Sequence, residues 1–259
     1  MAKRGDLVRT KEVMLDALMH VWKDQSGAVF SDEFVFRFQT EGYCQVLCNN
    51  SLVGVEEEII SREIAHHRSI GRDFEWAVFS VDKPSNLVSI LKSRGFEVGT
   101  KEIMCMFPLG EYSTFSNDDL RVMRVTDEAG LADFKSVADA VFGKDFSYTT
   151  GKLARCLEEG LPNETGFVAY DGDIPVSIGR LSKPDGASIA GLYTGGTLVQ
   201  HRGKGYYRAV VNARAEYAQE LGVEYLSVDA RPTSLPILLR LGFEPVVESW
   251  PCEYKGSLR

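Results

Sequence analysis

Slid along itself by 147 residues, the distance from Asp82 to Asp229, the chain meets a second copy of its own pattern. Ser80-Val81-Asp82 falls on Ser227-Val228-Asp229, Ile90-Leu91 on Ile237-Leu238, and Gly95-Phe96-Glu97 on Gly242-Phe243-Glu244. Each copy spells a strand, a helix, a glycine stop, a phenylalanine and the next strand. Matches in one ungapped window point to a duplicated α/β unit. A chain of 259 residues has room for two such domains. The polar, aperiodic stretch Pro108–Asp119 is the best boundary. The expectation is an α/β (α+β) chain of two domains, 1–112 and 113–259, each a mixed sheet flanked by helices.

Composition narrows the function. The hydrophobic fraction of 44% and charged fraction of 25% are those of a soluble globular protein. No apolar run reaches the length of a membrane span, and the start lacks the apolar core of a signal peptide, so a cytoplasmic protein without a membrane partner is expected. The five cysteines are scattered and odd in number, with no Cys-x-x-Cys pair, which suggests neither a disulfide framework nor a zinc site. His66 and His67, after Glu63, read as a solvated helix end, and no metal is expected. A net charge of −8 argues against nucleic acid.

The periodicity predicts a helix over Thr10–Trp22 and a hairpin of Phe34–Phe38 and Tyr43–Cys48 turning at Glu41-Gly42. A helix over Val55–His67 opens with Glu56, Glu57 and Glu58. Trp76–Val81 is a strand, Pro84–Arg94 a helix and Ile103–Phe107 a strand. In the second half Leu120–Val125 is a strand, Gly130–Phe142 a helix, Phe142–Gly151 a loop and Lys152–Glu159 a helix. Asp171-Gly172-Asp173 turns a hairpin. Ile189–Val199 is a strand, then Tyr225–Ala230 a strand, Pro232–Leu241 a helix and Phe243–Val247 a strand.

Between the strand ending at Val199 and the helix stopped by Gly222 lies Gln200-His201-Arg202-Gly203-Lys204-Gly205. Such a turn leaves backbone N–H groups at a helix start without intrahelical partners, and the helix dipole favours an anion there. A surface turn carrying two basic residues is the other reading. A P-loop fits poorly because Tyr206 follows Gly205, and a Rossmann fingerprint fits poorly because Arg208 stands where its third glycine belongs.

The pattern Gln/Arg-x-x-Gly-x-Gly/Ala, here Gln200 to Gly205, resembles the pyrophosphate loop of the GNAT acyltransferase superfamily. Gly242-Phe243 is similar to that family's second motif, and Leu120–Val247 has its element order. The resemblance implies acetyl-CoA as co-substrate. Backbone N–H groups of Arg202, Gly203, Lys204 and Gly205 and the start of the next helix at Tyr206 would hold its pyrophosphate. Leu198 and Val199 would face the pantetheine arm, with Gln200 and His201 beside the phosphates. It also implies that the strand before the loop splays from Tyr225–Ala230. The first half resembles a degenerate copy, with Glu56–Glu58 falling where the second half has Gly203–Gly205.

Three departures stand out. Leu238 occupies the position of the family's thiolate-protonating tyrosine, Arg231 that of its asparagine, and the strand before the loop has no glutamate. Tyr193 and Asp229 are the remaining catalytic candidates. Phe142, Phe146 and Tyr148 lie where the family places its acceptor, and core packing is an equal reading of them. Cys252 and Tyr254 are candidates to approach the cleft from the C-terminus. The expected activity is direct N-acetyl transfer to a primary amine of a small molecule or peptide, by a monomer or homodimer. The alternatives are an acyl or aminoacyl transferase with a larger donor, and a non-catalytic acyl-CoA sensor.

Overall fold

The computed structural model describes residues 28–40, 43–115 and 119–256. The helix expected over Thr10–Trp22 and the turn at Glu41-Gly42 lie outside them. The chain forms two compact units, the first made of residues up to Met104 with Ala230–Leu235 and Pro245–Arg259, the second of Cys105–Asp229 with Pro236–Glu244. The sequence reading put all of 113–259 in the second domain.

The first unit contains β1 (Ala28–Ser31), β2 (Val35–Gln39), β3 (Cys44–Cys48), α1 (Glu56–Ser69), β4 (Phe74–Phe79), α2 (Leu87–Ser93) and β5 (Glu97–Val98). β1, β2 and β3 run antiparallel in turn, and β3 pairs with β4 in parallel. Then β6 (Glu102–Pro108), β7 (Val122–Arg124), α3 (Glu128–Phe142), α4 (Ser147–Glu158), β8 (Glu164–Asp171), β9 (Ile174–Ser182), β10 (Ile189–Thr197), α5 (Tyr206–Glu220), β11 (Tyr225–Ala230), α6 (Leu235–Arg240) and β12 (Glu244–Tyr254) follow. In the second unit the strands lie in the order β11-β10-β9-β8-β7.

The last strand departs from the expected boundary. β12 pairs antiparallel with β4 from Ser249↔Phe79 to Tyr254↔Phe74, and its far side pairs with β5 at Cys252↔Val98. Cys252 is fully buried and Tyr254 nearly so, in a core with Phe74, Trp76, Leu91 and Phe96. The two candidates to approach the cleft from the C-terminus are therefore core residues of the first unit. Alternation along a strand says which side chains face in, not which sheet the strand joins.

The repeat is structural where its glycines lie. Gly95 and Gly242 follow equivalent helices with φ of +92° and +91°, a conformation that costs glycine little, and Phe96 and Phe243 behind them are buried. It breaks at the aspartates. Ser227–Asp229 lies inside β11, whereas Ser80–Asp82 forms a turn after β4 in which Asp82 accepts from the Phe79 N–H at 2.8 Å. Burial pushes the Asp82 carboxyl up to about 6. Asp82 shapes a turn and caps no helix.

Two further expectations change. His67 is not solvated: it is fully buried, stacked on Phe74 at 3.9 Å, with Nδ1 against the Glu63 carbonyl at 2.9 Å. Ser147–Gly151, expected as loop, opens α4, and Asp145 just ahead of it accepts from the Ser147 N–H at 3.2 Å.

Truncating Tyr254 to alanine empties an aromatic site in the first unit. Large-to-small changes of this kind cost about 3–5 kcal/mol. Urea unfolding of Tyr254→Ala is expected to lose stability of that order although the residue lies near the chain end. An unchanged midpoint would show that β12 contributes no packing.

Candidate active site

The second unit is a sheet covered on both faces. Val125, Phe134, Val137, Ala138, Leu153, Val168 and Ile178 form the core under α3 and α4. Asp127 starts α3 by accepting from the Gly130 N–H at 2.8 Å, and Gly143 ends it in the left-handed conformation. On the other face α5 packs against β9 and β10 through Val210, Val211, Arg214 and Ala218, all buried.

β10 decides the site. Its parallel pairing with β11 runs Ile189↔Tyr225, Ala190↔Leu226, Gly191↔Ser227 and stops. On the other side it pairs with β9 throughout, but Tyr193 opposes Arg180 while Gly196 opposes Ile178. β10 thus spends one more residue than β9 over the same stretch, which is a β-bulge, and a bulge bends the strand that carries it. Thr194 sits in it at φ +51°, the one non-glycine residue with positive φ among those described. Gly195 and Gly196 let both helix layers approach. A Cβ at Gly196 would lie 2.6 Å from Val141 Cγ1 on α3, and one at Gly195 3.1 Å from the Tyr207 ring on α5. Past Gly191 and Ser227 the strands diverge, leaving a cleft edged by the bulged backbone.

The loop closes the end of that cleft. Leu198 donates to the Val176 carbonyl at 2.9 Å, Val199–His201 form one 3₁₀ turn, and Arg202 Nε donates to the Thr197 carbonyl at 3.2 Å. Gly203 and Gly205 have φ of +76° and +91°, and α5 begins directly after. No side chain caps α5, and the N–H groups of Gly203, Lys204, Gly205 and Tyr206 make no hydrogen bond among the described residues. Successive free N–H groups around left-handed residues at a helix start form an anion cradle. Val199, Gln200, Arg202 and Lys204 are exposed there.

Asp171, at the end of β8, braces this loop. Its Oδ2 lies 3.1 Å from His201 Nδ1 and 3.6 Å from Lys204 Nζ, and it accepts from the Tyr206 hydroxyl. Desolvation pushes its carboxyl up, but the Tyr206 bond and the two basic neighbours outweigh it and hold it below the usual carboxylate range. His201 and Tyr206 are therefore turned towards Asp171, and the cradle consists of backbone and the two basic side chains. The first unit differs at the matching place. The Gly54 N–H donates to the Glu56 carboxylate at 2.6 Å, so an acid of the chain itself occupies the turn before α1.

Tyr193 and Asp229 stand at matching register positions, each two residues past the last β10–β11 pair. Tyr193 folds back over Gly191, with the Arg180 guanidinium 5.0 Å from its ring centroid. Arg180 is paired with Glu164, which also holds Lys152 at 3.0 Å and Ser182 at 3.0 Å. Asp229 is half-buried, and its charge adds to the burial that pushes the Cys105 thiol up to about 11. The rings of Phe142 and Phe146 lie 5.0 Å apart, tilted by 33°, and pack against the core under α3, with Phe142 Cζ beside Gly196. Tyr148 is exposed on α4. Leu238 is fully buried, and Arg231 is exposed in the first unit, where it pairs with Glu102 at 3.0 Å. Sequence reasoning missed Arg214 and Tyr207, which lie behind the bulge. Their seven-residue spacing on the buried stripe of α5 was the available signal.

No family model and no curated protein matches this chain. Solved structures do. A functionally unknown conserved protein from Staphylococcus epidermidis is 14% identical with a TM-score of 0.66, over 92% of this chain and 97% of that one. A GCN5-related N-acetyltransferase from Kribbella flavida is 14% identical with a TM-score of 0.64, over 95% and 94%. A tandem GNAT protein from the clavulanic acid biosynthesis pathway is 11% identical with a TM-score of 0.59, over 100% and 98%. The fold is that of GNAT acetyltransferases, in their tandem arrangement. No described helix is long and apolar enough to cross a membrane.

Gly203→Glu would add left-handed strain of about 1–2 kcal/mol and a negative charge in the cradle. Calorimetry is expected to show coenzyme A bound once per native chain and at least a hundredfold more weakly by the variant. Equal affinities would remove the cradle, and two sites per chain would contradict the role given to Glu56.

Proposed function

We propose that this chain, which has the GNAT fold in tandem, is an N-acetyltransferase that moves an acetyl group from acetyl-CoA to a primary amine of a small molecule or peptide. The second unit would bind the coenzyme and carry out the transfer, and the first would be a support without a cofactor site of its own. One observation carries this reading: the bulged stretch of β10, past its last pair with β11, runs straight into a loop whose N–H groups at the start of α5 make no hydrogen bond among the described residues. A pyrophosphate on the cradle places the rest of an acyl-CoA along that backbone. The residues fit such a group, because anion donors and an open strand edge lie in the order a nucleotide with an extended arm requires.

In this reading bound acetyl-CoA supplies the activated acyl group. The chain's own part is positioning and polarisation. Backbone N–H groups of β10 past Gly191 would donate to a thioester oxygen placed beside them. A neutral amine would enter on the side of Tyr193, between Phe142 and Asp229. Asp229, at the edge of the diverging strands, is the candidate to take the amine proton, directly or through water.

Leu238 gives the sensor reading its one supporting observation, since a buried leucine cannot protonate a leaving thiolate. A thiol of pKa about 8.5 nevertheless leaves tolerably without a proton donor. A general acid is worth about 10²–10⁴-fold, not the whole acceleration. A panel of amines, amino sugars and peptides with acetyl-CoA, read by release of free thiol, is expected to show turnover by the native chain. Leu238→Tyr is expected to add none, because the new ring must enter a filled core at a cost of about 1–3 kcal/mol. Activity that appears only in Leu238→Tyr would favour the sensor.

A further inference from the structure

Arg214 is 1% exposed, inside the second unit. Its Nε donates to the Val210 carbonyl one turn back at 3.2 Å. Nη1 donates to the carbonyls of Arg180 on β9 at 3.3 Å and Tyr193 on β10 at 3.4 Å. A Cβ at Gly179 would lie 2.7 Å from its Cζ, and one at Gly195 3.7 Å from Nη2. The guanidinium therefore fills the space directly behind the bulge. No carboxylate among the described residues lies within ion-pair distance of it. Burial draws its pKa down to about 10 against an opposing pull from Tyr207, which leaves it charged at neutral pH.

A buried charge without a counter-ion is expensive, by several kcal/mol even after relaxation. The three carbonyls offset part of that through the negative ends of their dipoles. They do not neutralise it. The bulge needs a donor behind it, but a neutral side chain could serve. What a guanidinium adds is a fixed positive field at the point where β10 leaves β11.

We propose that Arg214 is a positioning residue that holds the bulged backbone of β10 through Tyr193 and stabilises the thiolate of coenzyme A in the cleft. This rests on the acyl-CoA reading above. In the transfer, the amine nitrogen forms a bond to the thioester carbon, the carbon–sulfur bond breaks, and its electron pair stays on sulfur. The proton lost by the ammonium goes to Asp229 or to water. The anion left on sulfur lacks the proton that position 238 cannot give, and the field of Arg214 lowers its energy instead. The ionisable group beside the guanidinium is Tyr207 on α5; from β9 and β10 only the backbone carbonyls of Arg180 and Tyr193 reach it, the Tyr193 ring packing with the Arg180 side chain, and Asp229 stands on β11. The Arg180 side chain points to the opposite face, into its pair with Glu164.

The test needs no acceptor. Binding of coenzyme A and of its analogue lacking the sulfur is measured by calorimetry from pH 6.5 to 9.5, and the bound thiolate is followed by its ultraviolet absorbance. Ionisations of the loop and phosphates affect both ligands alike. A stabilised thiolate lowers the bound thiol's pKa below about 8.5. Coenzyme A is then expected to gain about tenfold in affinity over its analogue as pH rises through the window between the bound and free values, one pKa unit being one tenfold step. Arg214→Met should abolish that gain while binding the sulfur-free analogue within a few-fold of native, and Arg214→Lys should restore most of it. Parallel curves for the two ligands on the native chain overturn the inference and leave the cofactor assignment standing. Should Arg214→Met not fold, the native curves and Arg214→Lys decide: a native gain lost in a folded lysine variant also overturns it. No binding of either ligand removes the cofactor assignment itself.

Discussion

One extra residue in β10 is what the second unit is built around. If Tyr193 to Gly196 matched β9 residue for residue, β10 would stay straight and nothing would stop its pairing with β11 at Gly191. The cleft would then be a closed sheet. The bulge ends the ladder with β11, and buried backbone polar groups that lose a strand partner need others. Its surroundings hold it in place. Thr194 carries the left-handed φ, two glycines admit the helices on either face, and a guanidinium takes the Tyr193 carbonyl from behind. Bend, loop and helix start follow one another within fourteen residues, Tyr193 to Tyr206, so the site is a local product of the chain.

The two units show what the same pattern does with different side chains. Both place a parallel strand pair of three residues ahead of a helix, and both end the next helix in a left-handed glycine before a buried phenylalanine. In the first, β3 stops after five residues, and Glu56 turns back onto the Gly54 N–H. In the second, β10 runs on through its bulge, and glycines leave the equivalent N–H groups free. The turn in the first unit is thus occupied by the chain's own carboxylate, and the turn in the second is not.

Much of this was legible in the residues. The glycine-rich basic turn, the hairpin at Gly172 and the Gly-Phe repeat are local signals, and each lies where its own φ or hydrogen bonds require it. What stayed hidden was non-local. Tyr254 reads as one more strand residue, because nothing in β12 says that its partner lies some 180 positions earlier. The buried His67 looked like a solvated helix end because the expected strand began at Trp76, and the Phe74 ring that covers the imidazole lies just before that bound. Arg214 was the sharper miss. It falls in register with Tyr207, Val210, Val211 and Ala218, the apolar stripe of α5, and an arginine on such a stripe is already a buried charge.

The return of β12 also sets an order of events on the ribosome. Synthesis passes Met104 long before it reaches Pro245, and at about 5–20 residues per second the gap is roughly ten seconds. Through that interval the nascent first unit holds β4 with Trp76 and Val78 and no partner on the edge that β12 later covers. The second unit has its last segment by Glu244, ahead of the strand that completes the first. The half made first is thus finished last, and the open edge of β4 is the place where a chaperone, or another nascent copy, would find this protein before it has closed.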